Sequence, residues 1–261
     1  MQLMIFGPGR LGQAIAGAAV AAGWPAPIVV GRPAGSAAFQ PDDTSTASRL
    51  PARPVDVVID ASGGHAIAVN VADALAAGHR AFVLAATGWD ADQAMVRSML
   101  LEHDAAAVVA PNLSLGAALF GRLVEVAAGW YGRAAEFEPS IVEWHRRGKA
   151  DRPSGTARAL ARRVVSADPR WTTGGATDDP RPALEVVGIR SGAAPGTHLV
   201  TFDGPGESVE LRLTARDRSA YADGALAAAR WLVADTRAPG LHPFDAVVDH
   251  LLAATPLALP A

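Results

Sequence analysis

The sequence predicts an α/β protein in two parts: a parallel sheet covered by helices, then a second, α+β domain built on a mostly antiparallel open sheet. Three observations predict it. A glycine turn separates an apolar run from a helical pattern at the start of the chain; near-continuous apolar runs then alternate with helical stretches as far as Asn112; after Glu136 the apolar residues take the two-residue period of strands with one exposed face.

Gln2–Phe6 is a short apolar run that breaks at Gly7-Pro8-Gly9-Arg10-Leu11-Gly12, and Ala14, Ile15, Ala18, Ala19 and Val20 follow at helical spacing. In a strand-turn-helix of this kind Gly7 permits the tight turn, Gly9 lets backbone approach a pyrophosphate, and Gly12 lets the helix lie against the sheet, with the phosphates at the helix N-terminus. All six residues are candidate cofactor contacts, and the first part reads as a Rossmann-like dinucleotide-binding domain. The second strand, Pro27–Val30, runs into Gly31-Arg32. A site built for NAD usually has an acidic residue there for the ribose hydroxyls; Arg32, together with Arg10, suits a 2′-phosphate instead. NADPH is therefore the expected cofactor, with NADH as the other admissible one.

Val55–Asp60 is a buried-strand pattern followed by a helix over Ile67–Ala77. Ala81–Ala86 is a strand ending in Thr87-Gly88, with a helix over Asp90–Glu102, and Ala105–Ala110 is a strand ending in Pro111-Asn112. Ligands of parallel sheets gather at the carboxyl ends of the strands, which puts Thr87, Ala110 and Asn112 beside the nicotinamide half of the cofactor. Asn112 reads equally well as a turn former after Pro111.

Helix Leu115–Ala128 leads into the second region. Ile141-Val142-Glu143, Leu184–Ile189, Thr197–Phe202 and Ser208–Leu213 alternate as strands, Gly204-Pro205-Gly206 links the last two as a hairpin, and 171–182 is a polar surface loop. Helix Ala220–Val233 and a helical tail, His242–Leu252, return to the first domain. The expected boundaries are 1–114 with 218–261 for the dinucleotide-binding domain and 115–217 for the second.

The densest chemistry lies in Ile141-Val-Glu-Trp-His-Arg-Arg-Gly-Lys-Ala-Asp-Arg-Pro-Ser-Gly-Thr156. It leaves a strand, turns through Gly148 and Pro153, and enters a helix marked by Ala157, Leu160, Ala161, Val164 and Val165. His145 titrates near neutrality, Lys149 is an acid or an anchor, and Ser154-Gly155-Thr156 forms an anion cradle in which Asp151 or Ser154 caps the helix.

Composition narrows the classes. The 261 residues, 50% of them hydrophobic, suffice for one large core or two modest ones. A net charge of −3 and a pI near 6.2, with arginines scattered, leave no electrostatic footprint for nucleic acid. Cysteine is absent, which removes disulfides, thiolate nucleophiles and cysteine zinc sites. His65, His103, His198, His242 and His250 have no metal spacing and no His-Glu-x-x-His occurs, so a bound metal is not expected; His198 reads as a packed strand residue. Met1–Phe6 carries no basic leader and no apolar run reaches spanning length, so a soluble cytoplasmic protein without a membrane partner is expected.

The central stretch resembles the signature of dihydrodipicolinate reductase (4-hydroxy-tetrahydrodipicolinate reductase), Glu-x-His-His-x-x-Lys-x-Asp-Ala-Pro-Ser-Gly-Thr-Ala. Glu143, His145, Lys149, Asp151, Pro153, Ser154, Gly155, Thr156 and Ala157 stand in matching order. Gly9-Arg-Leu-Gly12, Ala110-Pro-Asn-Leu-Ser-Leu-Gly116, Arg190-Ser-Gly192, Gly196-x-His198, Arg218, Ala222-x-Gly-Ala225 and Trp231 extend the likeness over nearly the whole chain. There are departures. Arg146 replaces the second histidine, the Gly-Thr-Thr-Gly motif appears as Ala85-Ala86-Thr87-Gly88, a late histidine is replaced near Leu213, and the cofactor turn is one residue shorter.

The resemblance implies a homotetramer assembled through the second domain's sheet and an NAD(P)H-dependent oxidoreductase of lysine and diaminopimelate biosynthesis. Its small-molecule substrate is a cyclic imine-type dicarboxylate, and 115–217 serves substrate binding and oligomerisation. It assigns His145 and Lys149 as the acid and base pair, Gly155 and Thr156 with Ser154 to a substrate carboxylate, Thr87 to placing substrate against the nicotinamide, and Ala85 and Ala86 to the cofactor. Arg146 cannot act as an acid at neutral pH, but it can grip a carboxylate through two bonds. Two other readings stand beside this one: a reductase of the same build acting on a different imine or keto acid, and a non-catalytic NADPH-binding sensor.

Overall fold

The computed structural model describes residues 1–31, 50–51, 53–110, 112–134, 136–174, 179–235 and 237–254. They form two compact units, Met1–Leu115 with Arg218–Ala261, and Gly116–Asp217. The first contains β1 (Leu3–Phe6), α1 (Arg10–Ala21), β2 (Ile28–Val30), β3 (Val57–Asp60), α2 (Ile67–Ala76), β4 (Ala81–Leu84), α3 (Gln93–Glu102) and β5 (Ala106–Val109). α4 (Leu115–Tyr131) opens the second unit, followed by β6 (Glu138–His145), α5 (Gly155–Ala167), β7 (Glu185–Arg190), β8 (Thr197–Asp203) and β9 (Ser208–Thr214). The chain then returns to the first unit with α6 (Ser219–Ala234), β10 (Gly240–Pro243) and α7 (Phe244–Ala254).

The first unit is a six-stranded sheet in the order β10-β5-β4-β3-β1-β2, with every pairing parallel. Its central strands are buried along their whole length: Leu3, Met4, Ile5, Phe6, Val57, Val58 and Ile59 carry the apolar side chains that both layers of helices require. One core joins Met4, Phe6, Val58, Phe82 and Leu84 to Ile67, Val71 and Leu75 of α2 and Val96 and Leu100 of α3. Each fully buried side chain of this size stabilises the fold by about 1.5–3 kcal/mol over exposure. That packing fixes where the carboxyl ends of the strands, and the turns that follow them, stand.

Two details differ from the expected elements. The sheet's sixth strand, β10, contains His242, where a continuous helical tail was expected; the helix begins only at Phe244. Gly240–Pro243 is four residues with a left-handed glycine at one end and a proline at the other, a combination with no strand signature, and it pairs because it falls at the edge beside β5. β4 also stops at Leu84, two residues short of the expected end.

The second unit is an open four-stranded sheet ordered β7-β6-β8-β9. It is mixed: β6 and β8, and β8 and β9, pair antiparallel, whereas β6 and β7 pair parallel because α5 and the loop after it carry the chain back across the sheet. Ile141, Val200 and Phe202 on one face pack with Phe120, Val124 and Ala128 of α4 and Leu160, Ala161 and Val164 of α5. β6 buries every second residue, Pro139, Ile141 and Glu143. A carboxylate therefore occupies a core position of the strand that runs into the densest stretch of chemistry. Among the described residues, no helix is long and apolar enough to cross a membrane.

Candidate active site

The glycine turn of the first unit is tight, and each of its glycines meets different surroundings. Gly7 is left-handed, with φ +97°, and its N–H donates to the Val30 carbonyl at 3.0 Å. A Cβ on Gly12 would stand 2.0 Å from the Gly7 carbonyl oxygen, so only glycine lets α1 start this close to β1. Gly9 is the opposite case: nothing lies within 4 Å of the place its Cβ would take. No side chain caps α1, which begins at Arg10 after Gly9, so its first-turn N–H groups have no side-chain acceptor. These residues fit the diphosphate of a dinucleotide. Arg32 lies outside the described residues.

At the neighbouring strand ends, the Ala85 N–H donates to the Asp60 carbonyl at 2.8 Å, and the Ala86 carbonyl accepts from the Trp89 indole at 2.9 Å. Thr87 is exposed and Ala110 buried. The Asn112 side-chain oxygen accepts from the Ser114 N–H at 2.9 Å, just ahead of α4, and so makes the turn that was its other reading. The sequence did not single out Asp60. Its carboxylate ends β3 almost wholly enclosed and accepts from the Ser62 N–H at 2.9 Å and the Asn70 amide at 2.8 Å. Burial pushes its pKa up, against those hydrogen bonds.

In the second unit β6 delivers His145 at its last position, a turn carries Lys149, and α5 begins at Gly155. Of the two candidate caps it is Ser154 whose hydroxyl accepts from the Ala157 N–H, at 3.2 Å. Asp151 pairs instead with Lys149, Nζ to Oδ1 at 2.6 Å. Burial raises the Asp151 pKa, but the Lys149 bond and charge and the Gly155 N–H outweigh it and hold the carboxyl below its ordinary value. A carboxylate thus already rests between the ammonium and the start of α5. The Arg146 carbonyl accepts the Lys149 N–H at 3.1 Å, and the Arg146 side chain is exposed on the same turn.

Below this turn the fold gathers residues that sequence spacing keeps far apart. The register places Gly188 of β7, Glu143 of β6, His198 of β8 and Leu213 of β9 in one row across the sheet, and Arg190 stands beside His145. Glu143 Oε1 accepts from the Ser154 N–H at 2.9 Å and from Arg190 Nη2 at 2.7 Å; Oε2 lies 3.2 Å from His145 Nδ1 and 3.5 Å from His198 Nε2. Burial pushes the Glu143 carboxyl up, and the bonds from Ser154 and Arg190 more than reverse that. Burial lowers the His145 pKa and outweighs the opposing charge of Glu143, with Lys149 and Arg190 adding to the fall. His198, more enclosed and beside His145, is lowered to about 4 and is neutral at physiological pH.

Glu143, His145 and His198 offer three ligand atoms within 4.8 Å of one another, a grouping that spacing along the chain did not reveal. The Arg190 guanidinium already neutralises the carboxylate in a buried setting, which disfavours a dication beside it. Arg190 and His198 stood only among the matched residues or as core. The readable signal was Glu143 itself, a charge at an inward strand position two residues before His145.

A family model described as dihydrodipicolinate reductase, C-terminus, matches residues 116–248. A 4-hydroxy-tetrahydrodipicolinate reductase of Archaeoglobus fulgidus is 37% identical over 199 residues, covering 73% of this chain and 74% of that protein. One of Aquifex aeolicus is 35% identical over 181 residues, covering 68% of each. Among solved structures, a dihydrodipicolinate reductase from Paenisporosarcina sp. TG-14 with dipicolinate bound aligns with a TM-score of 0.67 and 20% identity, over 93% of this chain and 97% of that one.

Proposed function

The chain belongs to the dihydrodipicolinate reductase family, the 4-hydroxy-tetrahydrodipicolinate reductases, and on that premise we propose that it converts 4-hydroxy-tetrahydrodipicolinate to tetrahydrodipicolinate in lysine and diaminopimelate biosynthesis. One hydride and one proton enter and one water leaves. The observation that carries the assignment to particular residues is the single strand-turn-helix passage from His145 to Thr156, which holds an imidazole, an ammonium and a helix N-terminus together.

The reduced nicotinamide, when bound, supplies the hydride. Gly7, Pro8, Gly9, Arg10, Leu11 and Gly12 hold its diphosphate, and Ala85, Ala86, Thr87, Ala110 and Asn112 line the nicotinamide end. Arg32, with Arg10, takes the 2′-phosphate, so NADPH is preferred over NADH. The substrate is a dianion, and the turn suits it: between His145 and Arg158 the cations Arg146, Arg147, Lys149, Arg152 and Arg158 face one acid, Asp151. A substrate carboxylate competes with Asp151 for Lys149 and for the N-terminus of α5 at Ser154, Gly155 and Thr156, while Arg146 grips from the exposed side. Thr87 places the ring against the nicotinamide. Hydride addition to a carbon conjugated with the imine leaves electron density on nitrogen, and His145, with Lys149 as its partner, delivers the proton. A dianion next to His145 also offsets the burial that lowers its pKa, so the acid form is populated when substrate is present.

A homotetramer formed through the outer face of the second sheet, where Val187 is exposed, and a cytoplasmic location complete the reading. His145→Ala and Lys149→Ala are each expected to lower turnover about tenfold or more while leaving NADPH affinity unchanged. Loss of cofactor binding in either would remove that residue from its assigned role.

A further inference from the structure

Glu143 takes no direct part in the reaction proposed above, yet among the described residues of the second unit it is the most enclosed polar group, with none of its surface exposed. A carboxylate in that position needs partners for both oxygens. Oε1 has two. Oε2 and His145 Nδ1 are both buried and neither makes a hydrogen bond; they stand 3.2 Å apart, closer than His198 Nε2 comes to Oε2 at 3.5 Å. We propose that Glu143 is a positioning residue for His145: Oε2 holds the ring by Nδ1, so that Nε2 is the nitrogen that carries the proton to and from substrate, and Oε1 ties the ring to the turn that binds the substrate carboxylate. The inference rests on the assignment of His145 as the proton carrier.

The argument begins with register. Glu143 and His145, two apart on β6, project to the same face. The residue opposite Glu143 on β7 is Gly188, and a Cβ there would stand 2.9 Å from Oε1, so the glycine makes the space the carboxylate occupies. Arg190 then pins it, donating from Nη2 to Oε1 and also to the Asp151 carbonyl of the loop that carries Lys149. The Ser154 N–H, at the start of α5, completes the set. Two donors, Arg190 Nη2 and the Ser154 N–H, thus hold Oε1.

A neutral imidazole bears one N–H, and an ionised carboxylate can only accept. With Oε2 3.2 Å away and neither atom hydrogen-bonded, a proton on Nδ1 is the arrangement that would satisfy both, so the carboxylate favours that tautomer. Nε2 is left as the acceptor, and it lies at the edge where Gly196 has no side chain to crowd it: a Cβ there would be 3.2 Å away. The charged and titratable groups facing His145 are Glu143 on its own strand, Lys149 and Asp151 from the turn, Arg190 from β7 and His198 from β8. His198 is neutral; Glu143 is the stronger anion that favours the imidazolium, and Asp151, paired with Lys149, is the weaker.

The test uses the full chain with nitrogen-15 histidine, His145 being assigned by comparison with His145→Ala. In the wild type, neutral His145 is expected as the Nδ1–H tautomer. In Glu143→Gln, which keeps shape and removes charge, the His145 midpoint is expected at lower pH, with kcat down about tenfold or more, its pH profile displaced in the same direction, and KM for NADPH unchanged. Glu143→Asp, which keeps the anion, is expected to restore part of the midpoint. An Nε2–H tautomer in the wild type, or an unmoved midpoint and pH profile in Glu143→Gln, overturns the proposal. If Glu143→Gln fails to fold, as read by circular dichroism, the wild-type tautomer decides. These spectra need no substrate, so they stay separate from the reaction itself, which fails only if the wild type does not turn over 4-hydroxy-tetrahydrodipicolinate.

Discussion

His198 shows what one buried residue does to the whole molecule's response to pH. Its folded pKa of about 4 lies below the ordinary 6.5. As pH falls, the unfolded chain therefore takes up the proton first. The stabilisation is complete above pH 6.5 and is lost between 6.5 and about 4, amounting to on the order of 3 kcal/mol. His145 adds to the loss in the same sense. Urea unfolding at a series of pH values should show this slope in the wild type and a flatter one in His198→Gln; equal slopes would contradict the assignment. At this scale the sequence exposes only what is contiguous. His145, Lys149 and Ser154 lie within ten residues, so their grouping is visible in the sequence. Arg190 and His198 reach Glu143 only because three strands align, and a single sequence carries no register between strands.

Elements were legible where their period was long and where glycine had a stated job. β1, the turn and α1 read correctly because each glycine does something different there. The difference can be measured: Gly12→Ala drives a methyl into the Gly7 carbonyl and should cost about 2 kcal/mol or more in unfolding free energy, with NADPH binding lost. Gly9→Ala has room for the methyl and should unfold like the wild type while binding NADPH more weakly. Equal stability losses in the two would mean that the turn does not have the shape described. β10 was not legible, because Gly240-Leu-His-Pro243 has neither alternation nor a β-branched residue; its pairing comes from the edge of an existing sheet. The parallel pairing of β7 escaped for a similar reason, since alternation marks a half-exposed strand without giving its direction.

For the whole molecule, strand and helix alternate through a unit built on a parallel sheet, the period changes in a second unit on an open sheet, and the final helices belong to the first unit. The family follows from relatives that align over most of the chain. Two features bear on substrate and cofactor: Arg146 in place of the family's second histidine, and Arg32 with Arg10 where the cofactor's ribose is expected to lie. One measurement meets both: the purified protein given freshly prepared 4-hydroxy-tetrahydrodipicolinate, with oxidation of NADPH and of NADH followed separately at 340 nm, the ordinary absorbance of the reduced nicotinamides. The account predicts substrate-dependent oxidation with a higher kcat/KM for NADPH. No oxidation above the substrate-free rate with either cofactor, in protein that binds NADPH, would contradict it.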